Sequence, residues 1–497
     1  IYLRAVTGTD TRLTIFNNWL HTLYDGFRLR AHTGEQETAH ISAYVAFNEV
    51  VAGYEGAASQ LISTADTLLA FRNNAAGLND VDNSAALQVR SRGPGSTRGD
   101  VRNNVLARAG SHGLTASGFH PVIVNNTIAR NGRGETAAYG VTGEASDGYA
   151  QLVVENSIVF GSSRGDLFPG VSARWSIVGD RSATQGVSNL ETDPVLVERG
   201  DELDFDSWYR LAATSPGIDA GDPDPGHDDT DGTPNDIGAF GGPGGSVVGT
   251  LGAGAALPLE VIGLRDAVGL EEAAALPAGG DAIRLAFTRD VQDAAGLSVT
   301  ADGADVDGAW SFADRTGTFT PDGAWPASAE IRVAAAPSLT DVDGHANRLD
   351  WSRSFVTAPP SVTAETADDN DDPSSAQPLT GAAWSVTGAV TDRDDEDHYA
   401  FSVTAGDRLT LASFSARDLG LGGLVYELQD ADGVVVHSGT RDVFYDRSTY
   451  WASWAHGDTF VDHVFATSGE HLLVVRDGAG VVHFGLQRDY AFQAWLR

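Results

Sequence analysis

Along the first third of the chain, short apolar or β-branched runs alternate with polar, glycine-bearing turns, and an asparagine stands at the head of run after run. The series reads Phe16-Asn17-Asn18, Phe47-Asn48, Arg72-Asn73-Asn74, Arg102-Asn103-Asn104, Val124-Asn125-Asn126 and Glu155-Asn156. By subtraction, the steps from Asn18 to Asn48, Asn74, Asn104, Asn126 and Asn156 are 30, 26, 30, 22 and 30 residues, within the period of a solenoid. Behind each asparagine comes a run such as Thr127-Ile128-Ala129 or Ser157-Ile158-Val159-Phe160, then a glycine-apolar step such as Gly113-Leu114 or Gly140-Val141. No helical period intervenes, so the pattern predicts short strands joined by tight turns. Parallel strands stacked about 4.8 Å apart bring equivalent residues into register. An inward asparagine then hydrogen-bonds to those above and below it. The expectation is that Asn18, Asn48, Asn74, Asn104, Asn126 and Asn156 occupy equivalent corners of successive turns.

The Asn-Asn-x-Ile type of step resembles the right-handed parallel β-helix family over roughly residues 1–189. Beyond it lies the densest motif of the chain, Ser215-Pro216-Gly217-Ile218-Asp219-Ala220-Gly221, followed by Asp236-Ile237-Gly238-Ala239-Phe240. This run is similar to the terminal stretch of bacterial surface β-helix proteins, which implies a cap over the last turn, where an open solenoid exposes unpaired strand edges. Gly241-Gly242-Pro243-Gly244-Gly245 and the Gly/Ala run after it read as a linker.

Alternating short strands return at Ile283-Arg284-Leu285-Ala286-Phe287, Thr316-Gly317-Thr318-Phe319 and Ile331-Arg332-Val333-Ala334, a spacing that suits a small β-sandwich. Their order resembles the bacterial Ig-like modules of surface-layer and adhesive proteins. After Asp368-Asp369-Asn370-Asp371-Asp372-Pro373, the runs Asp395-Glu396-Asp397-His398-Tyr399-Ala400-Phe401 and Gly469-Glu470-His471-Leu472-Leu473-Val474-Val475 resemble the bacterial pre-peptidase C-terminal domain, a jelly-roll. That family opens with Glu-x-Asn-Asp, and here Asp368 stands in the place of the Glu. The resulting expectation is an all-β chain, a right-handed parallel β-helix solenoid followed by two β-sandwich domains. Its divisions are 1–245 for the β-helix with its cap, 246–257 for the linker, 258–358 for the Ig-like unit and 359–497 for the jelly-roll.

Composition narrows the function classes. The 497 residues carry a formal charge of −36, with 68 acids against 32 bases, and every base is arginine. Such a surface repels nucleic acid and anionic membranes and favours cations. No apolar run is long enough for a membrane helix, so neither nucleic-acid binding nor membrane insertion is expected. Without cysteine there are no disulfides or thiolate metal sites. Ile1 falls almost directly into the strand-like Tyr2-Leu3-Arg4-Ala5-Val6, which reads as a processed chain or a fragment, with further turns or a partner covering that end.

Oxygen-rich clusters carry the candidate chemistry. Asp228, Asp229, Asp231 and Asp236 surround Gly232 in one loop, the alternation by which a hard cation collects oxygens, and calcium is its natural occupant. Asp368, Asn370, Asp371, Asp395 and Asp397 form a second candidate set, brought together in the family that segment resembles. Asp341, Asp343 and Asn347 read as turn chemistry. Trp451 and Trp454 are candidates for an exposed ligand-contact patch, and Trp19, Tyr24, Tyr44, Tyr54 and Trp175 line the coil.

The function expected from this reading is that of a secreted or bacterial cell-surface structural or adhesive protein, calcium-stabilised, associating with itself, with other surface proteins or with polysaccharide, and able to form filaments. The alternative is a carbohydrate-active β-helix enzyme, a polysaccharide lyase or hydrolase. A hydrolase needs two facing carboxylates. A lyase needs a base, with Arg102, Arg108 and Arg130 as the candidates in a chain without lysine. His112 and His120 read as loop residues.

Overall fold

The computed structural model describes residues 2–6, 11–22, 26–32, 40–52, 59–63, 66–77, 85–91, 97–117, 119–133, 137–143, 152–168, 171–179, 188–197, 209–264, 275–276, 282–357, 363–364, 370–390, 395–413, 424–430, 433–440, 460–465, 467–477 and 488–496. Asp368, Tyr24, Tyr54, Trp451 and Trp454 lie outside these residues. No α-helix occurs among the described residues. From Tyr2 to Val178 the strands come in threes, each member of a triplet joining a different sheet, and three seven-stranded sheets result. Every pairing within them is parallel; Thr97–Arg102, for example, lies between Asp66–Arg72 and Phe119–Val124. The sheets are the faces of a β-solenoid.

Alternation along each strand decides what enters its core. In the second sheet Ile15, Val45, Phe71, Val101, Ile123, Val154 and Ala173 are in register from coil to coil. All are buried in one apolar cluster that runs through the solenoid. Truncating one of them, as in Ile123→Ala, leaves a cavity that neighbouring coils cannot fill and costs about 2–5 kcal/mol.

The asparagine ladder is present with one correction. Asn18, Asn48, Asn74, Asn104 and Asn126 follow one another, each backbone N–H donating to the next residue's side-chain oxygen at 2.9–3.0 Å. Asn156 is not the next member. Ser157 takes that place, its Oγ accepting from the Asn126 N–H at 2.9 Å, and Ser176 and Asn189 continue the row. Asn156 belongs instead to a second row with Asn17, Phe47, Asn73, Asn103, Asn125 and Trp175. All of these have φ between 44° and 56°, a left-handed conformation that asparagine tolerates better than most side chains. The Asn-Asn pair therefore does two jobs: its second member faces the core and its first turns the corner and faces out.

Two antiparallel β-sandwiches follow. In the first, a four-stranded sheet including Val261–Leu264 and Ile283–Phe287 shares a core with a five-stranded sheet including Glu330–Ala335 and Trp351–Thr357. In the second, two five-stranded sheets enclose Tyr399, Phe401, Leu473, Val475 and Phe492. Tyr399 and Tyr490 bond through their hydroxyls at 2.5 Å inside that core, so neither phenol is buried without a partner.

Candidate functional site

Residues 222–252 run back along the solenoid, from the sixth coil to the first, over the corner where the second asparagine row emerges. Asn156 Oδ1 accepts from the Asp222 N–H at 2.7 Å. Asn125 Nδ2 donates to Asn235 Oδ1 at 3.1 Å, and Asn103 Nδ2 to the Gly241 carbonyl at 2.7 Å. Asn73 Nδ2 donates to the Gly244 and Val247 carbonyls, both at 2.7 Å, and Asn17 Oδ1 accepts from the Leu251 N–H at 2.7 Å. This segment is a strap clipped by one asparagine on five of these six coils, the second coil having Phe47 at that corner. The Gly241–Gly245 run and residues 246–252 of the segment read as linker are part of it, with Val248 buried against Val51, Ala75 and Val105. Glycine is needed because the strap lies flush on the coil: a Cβ on Gly244 would sit 2.6 Å from Asn103 Oδ1, and Gly242 combines such an approach to Asn125 with φ 71°.

Under the strap's lower end the solenoid meets the first sandwich through buried charges. On adjacent coils, Arg72 donates Nε and Nη2 to both oxygens of Asp100, at 2.6 and 2.5 Å, and its Nη1 reaches Glu260 of the sandwich at 2.9 Å. Arg348 bonds Glu260 in turn, donates to Asn73 Oδ1 at 2.8 Å and lies over the Phe47 ring. Burial opposes the charge on Asp100, but the Arg72 guanidinium overrides it and holds the carboxyl below its usual range. Burial, together with the Glu260 charge, holds the Tyr44 phenol well above its usual value. Tyr44, Leu68 and Ala70 from the solenoid pack with Ile262 and Ala286 from the sandwich around this network.

The acidic loop lies on the outer side of the strap. Asp229 accepts from the Gly242 N–H at 2.5 Å and from the Asp236 N–H, Asp231 accepts from the Thr233 N–H and hydroxyl, and Asp236 accepts from the Asp219 N–H. Burial pushes the Asp229 carboxyl up to about 6 against the pull of those amides. Asp236 is raised, chiefly by burial, and Asp231 is lowered by Thr233.

Among the described residues, two groups of three acidic or histidine side chains bring their donor atoms within 4.8 Å of one another: Glu155, Asp222 and His227, and Asp341, Asp343 and His345. Asp228, Asp229, Asp231 and Asp236 are in neither. Asn370, Asp371, Asp395 and Asp397 are in neither too, although the Asn370 carbonyl accepts from the His398 N–H, which sets the opening acidic stretch beside buried Asp397. Arg289 bridges Asp341 and Asp343, so the second group is a charge-paired turn. The first was not anticipated, because its members are far apart in sequence and only the strap brings them together.

A shallow cleft of about 360 Å³ is lined by Arg108, Arg130, Asn131, Gly132, Arg133, Gly161 and Ser163. Arg108 and Arg130 hold the same corner on successive coils, both at φ 57°, where the next coil has Gly161. Among the described residues, no carboxylate belongs to this lining. His112 Nδ1 accepts from the Tyr139 N–H at 3.0 Å and its ring stacks on Tyr139, whereas His120 lies within the strand Phe119–Val124. Trp19 is 64% exposed, with its indole N–H on Glu49.

No family model matches the chain, and no curated protein does. Among solved structures, PliG of Aeromonas hydrophila, a periplasmic inhibitor of g-type lysozyme, is 13% identical over 27% of this chain and 97% of its own, with a TM-score of 0.18. The pre-peptidase C-terminal domain of a Bacillus anthracis collagenase is 16% identical over 26% of this chain and all of its own, with a TM-score of 0.18. A carbohydrate-binding module of the β-sandwich superfamily is 8% identical over 48% of this chain, with a TM-score of 0.20. Likenesses this distant bear on neither activity nor partner.

Proposed function

We propose that the chain is a structural and adhesive protein of an extracellular surface, in which the strapped solenoid and first sandwich act as one stiff stalk. The observation that carries this reading is the strap: asparagines on most of the coils are spent on clipping one segment along the solenoid's length, an arrangement suited to bearing load. The cleft supplies the adhesive part of the proposal. Placing Arg108 and Arg130 at a left-handed corner costs roughly 1 kcal/mol each relative to glycine, and cations side by side in an otherwise acidic protein suit an anionic polysaccharide.

Two measurements test the reading. Under force, the solenoid, strap and first sandwich should give way in one event; separate release of the sandwich at low force contradicts the stalk. Antibody labelling of intact source cells should decorate their exterior, and a signal found only after lysis contradicts the location.

A further inference from the structure

We propose that Glu155, Asp222 and His227 form a site for one divalent transition-metal ion of the zinc type, which pins the strap to the sixth coil. Glu155 ends the strand Val153–Glu155, while Asp222 and His227 flank a tight turn of the strap that closes in the 3-10 segment Pro225–His227. Their donor atoms all lie within 4.8 Å of one another, with His227 Nε2 3.9 Å from Asp222 Oδ2. One ion between them fits the usual bond lengths of about 2.0–2.2 Å after small side-chain adjustments.

The strap residues are already held in place. The Asp222 N–H is bound by Asn156, Asp222 Oδ1 accepts from the Asp224 N–H at 2.9 Å, and the His227 carbonyl accepts from Asn235 Nδ2 at 2.6 Å. Preorganisation of this kind removes much of the ordering cost of binding.

A separate observation points to a ligand here. Asn73, Asn103 and Asn125 all spend their side-chain N–H groups on strap oxygens. Asn156, next to Glu155 in the chain and bonded to Asp222, is wholly buried, and its Nδ2 has no hydrogen-bond partner. A buried donor without an acceptor is costly. An oxygen ligand completing the ion's shell, such as a bound water, supplies that acceptor where the other asparagines of the row have a strap oxygen.

The donor set chooses the ion. One imidazole with two carboxylates suits zinc and its first-row neighbours, whereas calcium prefers a shell made only of oxygens. Arg174, with Nη2 4.0 Å from Glu155 Oε2, is a cation that competes with the metal for this carboxylate.

The test uses the full chain, stripped with chelator and titrated with zinc, cobalt or calcium at neutral pH. Calorimetry should show one zinc per chain that is absent in His227→Ala, and Arg174→Met should bind more tightly, by about tenfold. Calcium should not compete at equal concentration. X-ray absorption of the one-equivalent cobalt form of the unmutated chain should show nitrogen and oxygen neighbours including one imidazole, a readout independent of how well the variants fold. Absence of stoichiometric zinc binding, a fully hydrated cobalt spectrum, or one-equivalent binding retained in both His227→Ala and Asp222→Asn overturns the proposal.

Discussion

Ser157 stands directly below Asn126, its Oγ accepting the Asn126 N–H at 2.9 Å, while Asn156 beside it faces the other way and grips the strap. That offset separates two structural roles that share one dipeptide, and the consequences of removing each differ.

Removing an inward member strips polar groups that water cannot reach. Asn126 Nδ2 donates to the Val101 and Val124 carbonyls, and its Oδ1 accepts from Asn104. Asn126→Ala should therefore lower stability by about 1–3 kcal/mol, read as a fall in the melting midpoint. An unchanged midpoint means that the ladder contributes nothing.

Removing an outward member combines backbone strain with loss of the strap's anchor. At Asn103, φ is 55°, so alanine must pay for the left-handed corner whereas glycine does not. Asn103→Ala should be less stable than Asn103→Gly by about 1 kcal/mol. Both should speed proteolytic cutting near Gly241. Equal stability of the two variants contradicts the backbone part of the argument.

Breaking the junction leaves charge stranded. Glu260→Ala removes the carboxylate shared by Arg72 and Arg348, and loss of one partner from a buried pair costs about 3–5 kcal/mol. The variant's denaturant midpoint reads it. The same network makes the chain acid-sensitive: the Asp100 carboxyl is depressed in the folded state, so its contribution is present above about pH 4 and is lost as pH falls below it.

Asp229 behaves in the opposite sense. Its folded pKa is raised to about 6, so the unfolded chain releases that proton first, and stability declines as pH rises from about 4 to 6. Asp229→Asn lacks this penalty. The midpoint of the variant relative to the unmutated chain should increase between pH 4 and pH 7, and a constant difference removes the assignment.

How much of this was legible in the residues follows from how local each signal is. The repeat of Asn18 through Asn126 reports a corner that recurs in every coil, so spacing alone reveals stacked strands and their order. The same spacing misplaced Asn156, because a serine in the next position can take over the ladder and a step of 30 residues does not distinguish the two rows. The strap was read as cap and linker: glycines signal freedom when nothing packs on them and close approach when something does, and Gly241–Gly245 look the same either way. The partnership of Arg72 with Glu260, 188 residues apart, has no local signature. Nor has the meeting of Glu155 with His227. The aspartates around Gly232 were visible as a dense loop, and the Asp231–Thr233 contact is local to it, but the commitment of Asp229 and Asp236 to the amides of Gly242 and Asp219 depends on a fold-back that the loop itself does not encode.

The central claim is that the strap is an integral part of the stalk, and hydrogen exchange at two of its amides tests this most directly. The Gly238 N–H donates to the Asn156 carbonyl at 2.8 Å and the Gly249 N–H to the Asn73 carbonyl at 2.9 Å, at the sixth and third coils. The account predicts that both amides exchange as slowly as solenoid strand amides and speed up together with them as denaturant is added. Exchange of either amide at the rate of an exposed loop, with the solenoid strands still protected, contradicts it.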